Sequence, residues 1–337
     1  MNGKRWAALG IAAVLFFFSV AINTMTTFLS KDFQTAMEEF MNPASGLMAE
    51  EVIEEGNMME RIAVIDLNGT IQDTGEASPF FQTAGYHHRT FMKNLNQAKE
   101  DSTVKGIIVK VNTPGGGVVE SAEIHDKIVE IQKEAKKPVY ISMGTMAASG
   151  GYYISAPADK IFASPETLTG SLGVIMQGMN LSGLAEKYGV KFDTIKSGEF
   201  KDIGSPYREM TEAERNILQD MINHSYDGFV KVISEGRGIP EEEVRKIADG
   251  RVYDGRQAKQ LNLIDEYGYF EDALAALKKD KKLEDAQVVQ YSSNLGLGSL
   301  FSMSARNLLG QDDFELAGVL QLLSNQNSPR MMYLYAE

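Results

Sequence analysis

Two glycine-rich turns, each delivered by an apolar run, carry the residues best suited to chemistry in this 337-residue chain. In the first, residues 104–111 (VKGIIVKV) lead into Pro114-Gly115-Gly116-Gly117, whose amides could face an anion or a developing oxyanion. A plain tight turn would look the same. The GxGxxG fingerprint begun at Gly115 fails at its last glycine, where Glu120 stands, and the Walker pattern GxxxxGK[ST] is absent. In the second, residues 138–142 (PVYIS) precede Thr145-Met146-Ala147-Ala148-Ser149-Gly150-Gly151. Here the Ser149 hydroxyl sits among residues small enough to admit a substrate backbone, and the Gly150 amide can share oxyanion duty. A lone serine in such a turn also fits a purely structural role.

A serine nucleophile needs a base. None of the four histidines, 87, 88, 125 and 224, forms a local partner for Ser149. His87 and His88 read as solvated loop residues, and His125 as the surface of an amphipathic helix. No HxxxH or HExxH pair suggests a metal site, and no cofactor is expected. Zero cysteines exclude a disulfide framework, a thiolate metal site, an iron–sulfur cluster and a cysteine nucleophile. What remains is a lysine made neutral by burial, because desolvation can lower its ordinary pKa of ~10.4 by up to ~3–5 units. Lys201, in residues 196–206 (KSGEFKDIGSP), follows an apolar run and lies amid small residues. Alone, it reads as a surface lysine paired with Glu199 or Asp202.

Two other serine-acyl patterns fail. The G-x-S-x-G elbow has Ala147 where its first glycine belongs. Ser102-Thr103-Val104-Lys105 supplies S-x-x-K, but it opens a strand where that motif requires a helix, and no S-x-N or Y-x-N separates it from Lys196-Ser197-Gly198.

The elements that must position these turns alternate. Strands are predicted at 61–67, 104–111, 138–142, 160–163, 174–176 and 190–195. Helices are predicted at 88–100, 118–134, 182–188, 210–236 and 239–249, and 147–156 could open another. This alternation implies stacked β-α units with mainly parallel pairing, in one α/β domain at about 59–285. Residues 31–58 read as an acidic, weakly helical stalk. Residues 286–337 form an extension with an amphipathic stretch at 312–324 and a tail, 329–337, too apolar for an ordinary solvated end.

The first thirty residues differ from the rest. No charge occurs from Trp6 to Ser30, and that length as a helix reaches ~37 Å, more than the ~30 Å hydrocarbon core of a bilayer. Lys4 and Arg5 precede the run and Asp32, Glu38 and Glu39 soon follow, so the expected orientation places the N-terminus in the cytoplasm and the body outside. A cleaved signal peptide, with Ser19-Val20-Ala21 as its site, is the rival reading; Asn23-Thr24 favours an uncleaved anchor. The formal charge of −13 and the absence of a long basic run argue against nucleic acid as partner. Mean hydropathy of −0.21 fits a body that is otherwise water-soluble.

Four blocks in order, Asn112-Thr113-Pro114-Gly115-Gly116, Ala147 to Tyr152 (AASGGY), Thr169 to Val174 (TGSLGV) and Ser197-Gly198-Glu199-Phe200-Lys201, resemble bacterial signal peptide peptidase A in its short, single-module Bacillus-type form. The resemblance covers roughly residues 60–275. It implies a Clp protease/crotonase-like fold and a Ser/Lys dyad peptidase, with Ser149 as nucleophile, Lys201 as general base, Gly116 and Gly150 as oxyanion donors, and Ser171 as a hydroxyl that orients the lysine. It further implies a cell-membrane protein that degrades apolar peptides such as released signal peptides, in a ring-like homo-oligomer whose sites are shared between neighbouring subunits. The apolar tail is expected to dock in the substrate groove. A crotonase-like acyl-CoA enzyme, a membrane-tethered scaffold without activity, and a cleaved, secreted peptidase are the competing readings.

Overall fold

The computed structural model describes residues 49–75, 85–292 and 331–335, together with Phe16. The strands, in chain order, are β1 (Ala49–Glu54), β2 (Asn57–Asn68), β3 (Val104–Thr113), β4 (Gly115–Gly117), β5 (Val139–Ala148), β6 (Lys160–Ala163), β7 (Leu168–Gly170), β8 (Val252–Tyr253), β9 (Glu266–Tyr267), β10 (Ala286–Ser292) and β11 (Met332–Leu334). The main sheet runs β1-β10-β2-β3-β5-β6-β9, with β7 against the end of β5 and β8 against β7. It is mixed: β1/β10 and β7/β8 are antiparallel, and the other pairings are parallel. The short β4 and β11 pair separately.

Parallel neighbours need crossovers. Helix α1 (His88–Glu100) joins β2 to β3, α2 (Val118–Glu130) joins β4 to β5, and α3 (Gly150–Ser155) follows β5 directly. Then come α4 (Ser182–Lys187), α5 (Glu212–Arg237), α6 (Glu241–Ile247), α7 (Gly255–Gln260) and α8 (Phe270–Lys281), the last returning the chain from β9 to β10.

Alternation along β2 explains why its central run has almost no polar residue. Ala63, Ile65 and Leu67 enter a large core with α1 and α2 residues such as Phe91, Leu95, Ile124 and Ile128. Ile62 and Val64 point the other way, into a smaller core beneath Leu274 and Leu277 of α8. A strand covered on both faces must be apolar on both, and each fully buried aliphatic side chain contributes about 1.5–3 kcal/mol. Gly106 on β3 lets α8 settle, since a Cβ there would lie 3.1 Å from Leu277 Cδ2.

The pair Lys136-Lys137 is structural. Lys136 ends the π-helical turn after α2 (Ile131–Ala135) in left-handed conformation, φ 56°. The buried Lys137 ammonium donates to the carbonyls of Ala98, Lys99 and Asp101 at 2.6–2.8 Å, closing the C-terminus of α1 where a cation is favourable.

Several expectations need correction. Residues 190–195 form no strand: Val190, Phe192 and Ile195 are exposed, and alternating apolar residues make a strand only where a neighbouring edge is free to pair. Residues 174–176 form no strand either, although Ile175 makes an isolated bridge to Met332. The stretch expected to end a helical stalk is strand β1, and β10 carries the sheet past residue 285, because these two edges pair with each other. The expected anchor at 1–30 and the amphipathic stretch at 312–324 lie outside the described residues, Phe16 excepted. Among the described residues no helix is long and apolar enough to cross a membrane.

Candidate active site

Ser149 sits where β5 ends and α3 begins, at φ 53° and ψ −113°, a conformation that non-glycine residues seldom adopt. Three bonds and pairings hold it there. Its amide donates to the Gly170 carbonyl at 2.8 Å, its carbonyl accepts from Tyr153 at 2.9 Å, and β7 pairs Gly170 with Ala148. The hydroxyl is buried and has no hydrogen-bond partner among the described residues. A strained, over-determined turn presenting a free hydroxyl is the arrangement that a nucleophile needs.

The Gly115-Gly116-Gly117 turn abuts it. Gly115, at φ +100°, hands the chain from β3 to β4, and its amide is held by Thr113 Oγ1 at 3.0 Å. A Cβ on Gly115 would lie 2.7 Å from the Gly150 nitrogen, and one on Gly150 would lie 3.1 Å from the Gly116 nitrogen and 2.7 Å from Ser121 Oγ. The two amides therefore approach each other closely, and only glycine allows it. Ser171 lies just past the end of β7, also at positive φ (51°), with its amide on the Arg251 carbonyl at 2.7 Å. Ser149, Gly116, Gly150 and Ser171 are thus brought together from three sequence blocks.

Lys201 is not part of this group within one chain. It lies in an exposed series of turns, 199–204, and among the described residues its ammonium makes no ion pair or hydrogen bond. The surface pairing with Asp202 does not form either, because Lys196 and Arg208 occupy that carboxylate. Tyr188, Phe192, Ile195, Phe200 and Tyr207, near this turn in sequence, are exposed, and Phe192 stacks on Tyr207 at 3.9 Å.

The tail adds a strand beside the glycine turn. Met332–Leu334 forms β11, antiparallel to β4, with Tyr333 opposite Gly116. On its other side Met332 exchanges two backbone bonds of 2.9 Å with Ile175. A peptide strand is thereby sandwiched between the Gly115-Gly116-Gly117 turn and Ile175, the geometry of strand addition. The Tyr333 ring is buried between Tyr153 (4.8 Å, stacked) and Phe229 (4.7 Å), with its hydroxyl on the Ser225 carbonyl at 3.1 Å. Burial pushes its ionisation above that of an ordinary tyrosine.

Two histidines are less solvated than expected. His88 is buried, with Nδ1 at 2.6 Å from the Tyr86 hydroxyl and Nε2 at 2.6 Å from Glu123, and His125 packs on Tyr153. Glu123 and Tyr153, which help cover them, lie on elements other than their own. Ser121 of α2, directly beneath Gly150 and unpartnered among the described residues, was also invisible to motif reasoning.

The model of peptidase family S49 matches residues 131–284. An Enterococcus faecium protein named as a candidate signal peptide peptidase SppA is 40% identical over 99% of this chain and 99% of its own length. Protease 4 of Haemophilus influenzae is 33% identical over 84% of this chain and 48% of that protein. Among solved structures, a point mutant of ClpP1 from Listeria monocytogenes is 20% identical and covers 63% of this chain and 94% of its own, at a TM-score of 0.41, too loose a likeness to carry weight.

Proposed function

Because this chain belongs to the signal peptide peptidase A family, within peptidase family S49, it is a serine peptidase, and we propose that Ser149 and Lys201 form its catalytic dyad. The supporting observation is the unpartnered, buried Ser149 hydroxyl beside two converging amides, with a peptide strand laid across the same turn. In this reading the neutral amine of Lys201 takes the Ser149 proton as the hydroxyl attacks a peptide carbonyl. The Gly116 and Gly150 amides stabilise the oxyanion, each donor being worth ~10²–10³ in rate. The ammonium then protonates the leaving amine, and water, deprotonated by the same lysine, releases the acyl group. Ser171 orients the lysine.

Since Lys201 is exposed in one chain, the dyad is completed by a neighbouring copy in a homo-oligomer. The exposed apolar side chains near Lys201 in sequence, Phe192 and Tyr207 stacked among them, support this, because apolar surface left uncovered by one chain can mark a contact. The substrate is an extended apolar peptide, such as a released signal peptide, read by strand addition to β4 and Ile175. The fold is proposed to be of the Clp protease/crotonase type, and the uncharged run at 6–30 to anchor the chain in the cell membrane with the peptidase body outside. An activated acyl or phosphonate probe followed by mass spectrometry tests the assignment: one adduct on Ser149, lost in Lys201→Ala, is expected. Unaltered labelling in Lys201→Ala would contradict the dyad, and no adduct would favour a reading without a nucleophilic serine.

A further inference from the structure

We propose that Arg208 is a positioning residue for Lys201: its guanidinium locks the turn that carries the lysine onto the N-terminus of α5 and cancels the carboxylate charge beside it. The inference rests on the reading of Lys201 as the base. The Lys201 ammonium has no partner of its own among the described residues, so its placement depends on its neighbours. The residue that follows it, Asp202, is held on three sides. Arg208 Nε reaches Oδ2 at 2.9 Å and Nη2 reaches Oδ1 at 2.8 Å and the Asp202 carbonyl at 3.2 Å, while Lys196 Nζ reaches Oδ1 at 2.6 Å. The same Lys196 ammonium donates to the Glu199 carbonyl at 2.7 Å, closing the turn from its other end.

Arg208 then bridges to a rigid element. Its Nη1 donates to Glu214 Oε2 at 2.8 Å and its Nη2 to Oε1, a two-pronged contact with a buried carboxylate. Glu214 is in the first turn of α5, where it also accepts from the Thr211 amide at 2.9 Å in a capping box. Further along, α5 is seated in the core by Phe229, Val230 and Ile233. The path from core helix to lysine therefore runs through one guanidinium, and the fork geometry cannot be reproduced by a lysine ammonium.

Charge gives the second half of the argument. A lysine that must lose its proton is hindered by a neighbouring carboxylate, which favours the ammonium. Here Asp202 and Glu214 are matched by Lys196 and Arg208, so the cluster is neutral and the penalty is removed. Glu199 is the remaining carboxylate on this turn. On the Ser149 side, Asp249 and Arg251 flank Ser171 and pair with each other.

The test uses full-length chains carrying Arg208→Gln, Arg208→Lys or Asp202→Asn, with the pH dependence of kcat, the assembled mass and the melting temperature measured on each. Arg208→Gln is expected to move the acid limb of kcat upward by on the order of half a pH unit, and Asp202→Asn to move it downward. Both lower the plateau by roughly tenfold or more, since small misplacement of a reacting group is costly. Arg208→Lys returns the limb but not the full plateau. An Arg208→Gln limb that stays in place, with activity falling only in step with assembly or melting temperature, would overturn the inference. Lys201→Ala separates the two failures: activity in that variant sinks the dyad and this inference together, whereas an inactive Lys201→Ala with an unmoved Arg208→Gln limb sinks this inference alone.

Discussion

Tyr333 stacks on Tyr153 with ring centroids 4.8 Å apart, and its backbone is paired with Gly116. An aromatic residue of the chain's own tail is therefore held between Tyr153 and Phe229 next to the glycine turn. If this strand covers the groove, weakening it should open the groove. Tyr333→Ala, or deletion of residues 330–337, is expected to raise the rate of Ser149 acylation by a small probe several-fold. The check is the time course of adduct formation by mass spectrometry, with equal rates counting against the tail as an occupant.

Gly150 has no room for a methyl group: its Cβ would meet Ser121 Oγ at 2.7 Å. Gly150→Ala should displace the amide proposed as an oxyanion donor and reduce kcat/KM by ~10²-fold, the scale of losing one donor, with little change in far-ultraviolet circular dichroism. Near-normal turnover would show that this amide does not face the oxyanion.

Ser121 itself carries a buried hydroxyl without a partner among the described residues. An unsatisfied buried polar group is destabilising, so Ser121→Ala should leave stability unchanged or raise it by up to about 1 kcal/mol. Urea denaturation measures this. A clear loss of stability would mean the hydroxyl is bonded in solution.

Leu277 fills the space that Gly106 leaves open under α8 and is fully buried with Ile62, Val64 and Ile108. Leu277→Ala should cost about 2–5 kcal/mol, read as a lower urea midpoint at unchanged slope. A cost below about 1 kcal/mol would mean that α8 is not tightly seated.

Bonds from Arg208 and from the Thr211 amide hold the Glu214 carboxyl down, from 4.5 to about 2. A group whose folded value is depressed contributes stability above its unfolded value and loses it as pH falls toward the folded one. The wild-type chain should therefore shed this contribution between pH 4.5 and about 2. Glu214→Gln should be less stable at neutral pH and show a shallower decline over that window, measured as urea midpoint against pH. Parallel curves would contradict the bridge.

Much of the fold was legible because the centres of β2 and β3, Ile62 to Ile65 and Ile107 to Val109, are apolar on both faces, and α1 shows Phe91, Leu95 and Ala98 at helical spacing. The run at 190–195 has the same local pattern as a strand and forms none, since pairing depends on a free edge that local sequence does not encode. Within the site, Ser149 and the glycines announce themselves through turns that only small residues can make. Arg208 and His88 do not, because Glu214 and Glu123 lie on other elements, and neither does Ser121, which meets Gly150 only in the fold. The exposure of Lys201 in one chain was likewise unreadable from its neighbours.

The central claim is that Ser149 of one copy works with Lys201 of another, and subunit mixing tests it most directly. Ser149→Ala and Lys201→Ala chains, each purified alone, should be inactive on a peptide substrate. Dissociated together and reassembled, they should recover activity in on the order of a quarter of their sites, the statistical share in which an intact serine meets an intact lysine. Activity in Lys201→Ala alone would contradict the dyad, and a mixture that stays inactive while assembling normally would contradict a site shared between copies.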